Sequence, residues 1–260
     1  MLDGINGFKF IPKERNQGLF LQDRFDDIID NREWPPPSAE STDFVFYCTY
    51  RGKKLGEFTW HDYRGGLLYE QTADADDYLA RVNQSSCLII CIPSNLLDAA
   101  VNGTGHENRE ARRAFDQYLW YLTEARAQHP DVPVVLAIMK ADLFYDGILK
   151  LSYPGAIAYL KNKFDLLFHD EGRSVVITDI TLGHFSSAAS ENVSANISPR
   201  HIAIPILFPF YLETRSPEIE RVLVEESCLY YNGEPQNDNA SEIEENLPDD
   251  LHWTTLTERE

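Results

Sequence analysis

The chain has 260 residues, of which 43% are hydrophobic and 12% aromatic, enough for the core of one α/β domain or of a domain with an appendage. Its formal net charge is −19, and a surface this acidic repels the phosphates of nucleic acids and the headgroups of anionic membranes. The composition therefore argues against a nucleic-acid partner and against binding to anionic membranes.

The start of the chain and the cysteines favour a cytoplasmic location. Residues 1–10 lack a basic region followed by an apolar stretch. The longest apolar run, 202–212, is too short to span a bilayer and contains two prolines, so we expect no membrane insertion. No CxxC pair occurs, and Cys48, Cys87 and Cys91 lie in strand-like apolar runs, which indicates reduced cysteines.

The first third of the chain contains a hairpin signal. Residues 18–30 are compatible with a short helix, and three prolines at 35–37 impose an extended connection. Two runs rich in strand-forming residues, 43–50 and 55–60, predict a β-hairpin. Residues 67–82 are again compatible with a helix.

The centre of the chain alternates between helical patterns and buried strands. Residues 95–108 are predicted as a loop, and 109–128 and 154–168 as helices. This alternation predicts an α/β fold with a mostly parallel sheet, helices on both faces and one antiparallel strand from the hairpin. The strands, continuous apolar runs typical of burial on both faces, are 87–94, 132–139 and 174–180.

The last third is less regular and more acidic. Residues 198–215 predict a final helix that prolines interrupt, and 217–231 are compatible with a short helix. From Glu213 to Glu260 there are 14 acidic and 3 basic residues, and 232–250 have the composition of a disordered tail. The predicted organisation is an N-terminal segment (1–42), an α/β domain (43–215) and an acidic, partly disordered tail (216–260).

Three predicted strand ends carry distinctive polar residues. Asp62 and Gly65 form an Asp-x-x-Gly after the hairpin, Lys140 and Asp142 form a Lys-x-Asp after the second buried strand, and "HFSSAAS" follows the third. In open α/β sheets, ligands bind at the carboxyl ends of the strands. The ordered set resembles the guanine-nucleotide-binding elements of the P-loop GTPases, and the resemblance covers residues 34–215.

This resemblance implies a magnesium and phosphate site. Asp62 would hold Mg²⁺ through a water molecule, and the bare backbone of Gly65 would approach the γ-phosphate. A hydroxyl of the first switch would join the Mg²⁺ shell. Ser38 is the first choice for it, with Ser41 and Thr42 as rivals.

The resemblance also implies a guanine site. The Asp142 carboxylate would accept two hydrogen bonds from the N1–H and amino groups of guanine, which adenine cannot offer. The aliphatic stem of Lys140 would lie along the base. The backbone N–H near Ala188 would meet the guanine carbonyl, and Ser187 would support Asp142.

The chain departs from the family pattern at three points. It contains no GxxxxGK[ST] phosphate loop, and its only Gly-Lys pair, 52–53, lacks the upstream glycine. Met139 stands where Asn or Thr usually ties the base loop to the phosphate loop. Gly66 stands where many small GTPases have a glutamine that orients water. The phosphate loop is either lost with an upstream segment or absent by nature, as in a pseudo-GTPase.

We therefore expect a guanine-nucleotide-binding switch domain with weak or no hydrolysis. The alternative is a pseudo-GTPase that acts as a nucleotide-independent module and binds a protein partner. An unrelated α/β enzyme is a third reading, but no GxSxG elbow and no histidine at metal-ligand spacing occurs. The simplest reading also stays open, in which Asp62 and Gly65 form a turn and Lys140 and Asp142 a solvated strand end.

Overall fold

A computed structural model of the chain divides into two compact units. The N-terminal unit comprises Met1–Tyr78 with His184–Ile197, and the C-terminal unit comprises Leu79–Gly183 with Ser198–Glu260. These units do not follow the predicted boundaries after residues 42 and 215. The structure describes residues 7–31, 42–62, 80–82, 84–169, 174–181, 184–185, 195–196, 200–231 and 234–245.

The N-terminal unit contains a three-stranded antiparallel sheet in the order β1-β2-β3. The predicted hairpin is confirmed as β2 and β3, and its two-residue turn has positive φ at both Arg51 (46°) and Gly52 (82°), as a tight hairpin turn requires. The Phe46 and Phe58 rings stack across the pair with centroids 5.3 Å apart. Its elements are β1 (Phe8–Pro12), α1 (Arg15–Asn31), β2 (Thr42–Tyr50), β3 (Lys53–Asp62) and the short ladder β7 (His184–Phe185) with β8 (Ala195–Asn196).

The C-terminal unit contains a five-stranded mixed sheet in the order β10-β9-β6-β5-β4. The three predicted apolar strands are confirmed as β4, β5 and β6, which run parallel to one another. The antiparallel strand beside them is β9, so the prediction that the hairpin contributes this strand is wrong. The strands are β4 (Leu88–Pro93), β5 (Val134–Met139), β6 (Ser174–Ile180), β9 (Cys228–Tyr231) and β10 (Glu234–Pro235).

Burial explains why the central strands read as unbroken apolar runs. Leu136 and Ala137 point to opposite sides of β5, yet both are fully buried.

Among the helices with described bounds, none is both long and apolar enough to cross a membrane. These helices are α2 (Ser94–Asn102), α3 (Gly105–Gln128), α4 (Asp142–Tyr145), α5 (Tyr153–Lys163), α6 (Leu166–His169), α7 (Ile204–Thr214), α8 (Pro217–Glu226) and α9 (Asp238–Glu245).

The predicted loop at 95–108 is wrong, because α2 occupies its first half. Leu97 and Ala100 of this short helix are fully buried, so tertiary packing stabilises a segment whose asparagines and glycines suggest a loop. The Asn108 side chain donates hydrogen bonds to the carbonyl oxygens of Ala99 and Ala100, at 3.1 and 2.9 Å. A Cβ at Gly103 would lie 2.3 Å from the Ala99 carbonyl oxygen, so only glycine fits where the helix ends.

Part of the predicted tail belongs to the C-terminal unit. β9 pairs with β6, and Ala240 of α9 is fully buried. The Asn237 side chain connects these elements, since its amide donates to the carbonyl oxygens of Val224 (2.9 Å) and Ser227 (2.6 Å). Its own oxygen accepts from the backbone N–H of Leu229 at 3.2 Å. Residues 246–260 lie outside the described part of the chain.

Replacement of Asn237 by alanine is expected to destabilise the packing of α9 and β9 by about 1–3 kcal/mol, because the carbonyl groups of Val224 and Ser227 lose their shorter hydrogen bonds and the Leu229 N–H loses an acceptor. Hydrogen exchange at the Ala240 amide would measure the change. The matched control is Ser241→Ala, half-buried on the same helix, which should leave that exchange rate unchanged. Equal exchange rates in the two variants would contradict this account of the C-terminal packing.

Candidate functional site at the ends of β5 and β6

A tightly held loop, residues 140–146, follows β5 and contains two of the predicted guanine-binding residues. Lys140 is left-handed (φ 57°) and turns the chain from the buried strand into the one-turn helix α4. Three hydrogen bonds fix this 140–146 loop on both sides. They join the Ser94 hydroxyl to the Lys140 carbonyl (2.8 Å), the Ala141 N–H to the Ile180 carbonyl (3.2 Å) and the Leu143 N–H to the Lys140 carbonyl (3.2 Å).

The charged groups of Lys140 and Asp142 are available to a ligand. The Lys140 residue is exposed and Asp142 is half-buried. Within the described part of the chain, neither the ammonium group nor the carboxylate has a hydrogen-bond or ion-pair partner. A structural ion pair therefore does not account for placing these two charges at the carboxyl end of a buried strand.

The remaining predicted site residues are placed only in part. Asp62 is the last residue of β3 and lies opposite Thr42 in the β2–β3 ladder, so Asp62 and one rival for the first-switch hydroxyl are cross-strand neighbours. Asp62 belongs to the N-terminal unit, whereas Lys140 and Asp142 belong to the C-terminal unit. The other predicted positions, Ser38, Ser41, Gly65, Ser187 and Ala188, lie outside the described residues.

The donor types at Thr42 and Asp62 are suited to magnesium, which prefers hydroxyl, carboxylate and water oxygens. Among the described residues there is no group of three or more His, Cys, Asp or Glu side chains that could hold a metal ion by itself.

A buried polar cluster beside the 140–146 loop was not anticipated from the sequence. Its centre is the carboxylate of Asp179 on β6, a residue only 4% exposed. The Tyr145 hydroxyl donates to Asp179 Oδ2 at 2.9 Å, and the His201 Nδ1 lies 2.8 Å from Asp179 Oδ1. The Tyr153 hydroxyl makes a longer contact of 3.5 Å to Asp179 Oδ1. Asp179 thus joins side chains from three separate segments of the chain.

The surroundings of His201 and Asp179 favour the charged form of this pair. Burial alone would raise the pKa of Asp179, but the hydrogen bond and charge of His201, with the hydroxyl of Tyr145, outweigh it and lower that pKa. Burial would likewise lower the pKa of His201, but the hydrogen bond and charge of Asp179, assisted by Glu226, raise it. Both shifts favour the ionised pair over its neutral form.

The backbone at His201 is also unusual, since its φ of 56° is one that non-glycine residues rarely adopt. Arg200, the preceding residue, pairs with Thr181 through two backbone hydrogen bonds of 3.0 and 3.4 Å. This bridge continues the end of β6 toward α7 and brings the imidazole back over Asp179. The left-handed conformation at His201 therefore places its imidazole within hydrogen-bond distance of the Asp179 carboxylate.

Comparison of the chain with protein-family models, with curated proteins and with solved structures finds no match in any of the three.

Proposed function

We propose that this chain is a GTPase-like guanine-nucleotide-binding switch domain with weak or no hydrolysis. The observation that carries the proposal is the 140–146 loop, which presents Lys140 and Asp142 at the carboxyl end of β5 with no side-chain partner among the residues that the structure describes. That edge of a parallel sheet is where ligands of α/β proteins bind. The carboxylate of Asp142 matches the two donors of a guanine edge, and the stem of Lys140 can cover the base.

The sheet supports a P-loop-type architecture for the C-terminal unit. The parallel strands β5 and β6 are buried along nearly their whole length, whereas Cys91 of β4 is exposed, so the sheet supports a layered α/β arrangement of the kind that this class uses. The Lys-x-Asp follows β5, which has a parallel neighbour on either side. The sheet order thus agrees with the place that the proposal gives to the guanine site.

Ser94 compensates for the missing Asn or Thr at position 139. Its fully buried hydroxyl lies just after β4 and donates to the Lys140 carbonyl at 2.8 Å. In the family pattern a side chain at the position of Met139 ties the base loop to its neighbour. Here the tie comes from the neighbouring strand end instead, so the loop keeps a fixed conformation.

The phosphate side of the proposed site is weak. The Mg²⁺ ligands that the resemblance implies are Asp62 and Ser38, with Ser41 and Thr42 as rivals for the hydroxyl. They belong to the N-terminal unit, so the proposed site is confined to the base-binding loop of the C-terminal unit. The sequence offers no Walker loop to supply backbone N–H donors and a lysine to the β- and γ-phosphates. We therefore expect dissociation constants weaker than about 1 μM and no measurable turnover of GTP.

Titration of the purified chain with fluorescent GDP, GTP and ATP analogues in Mg²⁺ tests the proposal. We expect weak binding that prefers guanine, and a loss of that preference by at least about tenfold in Asp142→Ala. The matched control is Asp146→Ala, an exposed carboxylate in the same loop, which should bind like the unmodified chain. Equal affinity for the guanine and adenine analogues would refute the base site.

A nucleotide-independent interaction module remains the second candidate, and exposed apolar side chains in the N-terminal unit favour it. Leu19 and Phe20 of α1 are 51% and 47% exposed, and Ile11 of β1 is 47% exposed. Exposed apolar residues of this size are typical of protein-binding surfaces when they occur together. Absence of binding to all three nucleotides would favour this candidate over the switch.

A further inference from the structure

The 140–146 loop is connected to the buried cluster at its far end. Asp142 begins α4 and Tyr145 ends it, and the Asp146 N–H closes the turn on the Asp142 carbonyl at 2.9 Å. The Tyr145 hydroxyl then reaches Asp179 Oδ2 on the adjacent strand. Because Asp142 and Tyr145 lie on the same helical turn, a contact that holds Tyr145 also restrains the backbone that carries Asp142.

Asp179 holds this turn from the β6 side, together with the backbone next to it. The carbonyl of Ile180, the following residue, accepts the Ala141 N–H at 3.2 Å. The end of β6 thus binds the 140–146 loop at its second residue through the backbone and at its sixth through a side chain. Two attachments on either side of Asp142 restrain both the entry to the turn and its exit.

We propose that Asp179 is a positioning residue for Asp142, acting through the hydroxyl of Tyr145 and held in place by His201. This inference rests on the proposed function, because it assigns Asp179 to the guanine-recognition loop. Asp179 does not contact the base itself. Its contribution is to keep the carboxylate of Asp142 in one orientation before a nucleotide arrives, which lowers the entropy that binding must remove.

The surroundings of Asp179 determine how the cluster responds to pH. His201 and Tyr145 both stabilise the ionised carboxylate, so removal of His201 should raise the pKa of Asp179. The titratable and charged side chains that act on the cluster come from every element around it: Tyr145 of α4, Tyr153 of α5, Arg200 and His201 before α7, Glu226 at the end of α8 and Cys228 of β9.

Two tyrosine variants separate positioning from general packing. Tyr145→Phe removes the hydroxyl that links the loop to Asp179 and keeps the ring beneath Arg200. We expect exchange of the Asp146 amide hydrogen to accelerate about fivefold and guanine affinity to fall by a similar factor. Tyr153→Phe removes a second hydroxyl from the same carboxylate but lies on α5, so neither quantity should change.

A third variant tests the link to His201 by a readout that packing alone would not move. The chemical shifts of the Tyr145 ring report protonation of Asp179 as the pH is lowered. In His201→Gln, the midpoint of this titration should move to higher pH than in the unmodified chain. Unchanged Asp146 exchange in Tyr145→Phe, or equal acceleration in Tyr153→Phe, would overturn the proposal. Faster exchange in Tyr145→Phe without any guanine binding by the unmodified chain would support the positioning contact and refute the proposed function.

Discussion

Asp179→Ala is expected to lower the free energy of unfolding of the C-terminal unit by about 3 kcal/mol at about pH 5.5. The variant leaves a mostly buried His201, whose side chain is 17% exposed, without its counter-ion. It also removes the acceptor of the Tyr145 hydroxyl. Removal of one partner of a buried ion pair lowers the free energy of unfolding by more than the intact pair adds to it, because the remaining charge stays desolvated.

The pH dependence of this loss follows from the directions of the two pKa shifts. The raised pKa of His201 contributes stability that is present below its unfolded value of about 6.5 and is lost as the pH rises through the folded value. The lowered pKa of Asp179 contributes stability above its unfolded value of about 3.9 that is lost as the pH falls through the folded value. The difference in the free energy of unfolding between the unmodified and Asp179→Ala chains should therefore be largest from about pH 4 to about pH 6.5.

Native-state hydrogen exchange at the β5 amides would measure this difference for the C-terminal unit alone, since a chain of two units need not unfold in one step. Asp131→Ala, an exposed carboxylate in the turn before β5, is the matched control and should change the stability little at any pH. A loss that stays constant from acid to alkaline pH would show that the ionised pair does not stabilise the fold.

Phe115→Ala is expected to destabilise the C-terminal unit by about 3–5 kcal/mol. Phe115 of α3 is fully buried, and its ring meets those of Tyr159 and Phe164 edge-on, with centroids 5.2 and 6.3 Å away. Truncation opens a cavity between α3 and α5 that these large, rigid rings cannot fill. The buried area and the edge-to-face contacts are lost together.

Native-state hydrogen exchange at the β5 amides would measure the loss of stability in Phe115→Ala, and another residue of α3 provides the control. Trp120 lies on the same helix but is 53% exposed, so Trp120→Ala should cost less than about 1 kcal/mol. Two large aromatic residues on one helix would thus differ severalfold in effect because only one of them contributes to the core. Similar losses in both variants would indicate that α3 is not packed as described.

The parallel core of the fold could be predicted from the sequence because strands of a parallel sheet form continuous apolar runs, and β5 and β6 are buried on both faces. The apolar runs 87–94, 132–139 and 174–180 correspond to β4, β5 and β6 with ends that differ by at most two residues. The hairpin was equally visible, since strand formers lie on both sides of residues 51–54, although β3 begins two residues earlier than the sequence predicts, at Lys53. These features depend on local composition alone, which a single sequence contains in full.

Elements that depend on distant partners were missed. β9 has only four residues, and its Cys-Leu-Tyr-Tyr sequence continued a helical pattern, so nothing local marked it as a strand. β1 was overlooked because it is five residues long and ends in proline. Both segments become strands through pairing with residues far away in the chain, which periodicity does not show.

The candidate site also contains residues that the sequence could identify and residues that only the fold reveals. Lys140 and Asp142 could be singled out because they follow a recognisable strand, and the structure places them after β5, while their role in binding a nucleotide stays a prediction. Asp179 was passed over as part of an apolar run. One signal was available, since a charged residue within a fully buried strand requires a partner. The partners themselves, 34 and 22 positions away, could not be deduced without the fold.

The antiparallel pairing of β9 has a consequence for synthesis on the ribosome. β4, β5 and β6 are complete in the nascent chain well before Cys228–Tyr231 has been translated, and until then one edge of β6 has unsatisfied N–H and C=O groups. An exposed edge beside three apolar strands is a template for pairing with another chain. Chaperone dependence should therefore be greatest in the interval between emergence of β6 and emergence of β9, after which the edge is covered.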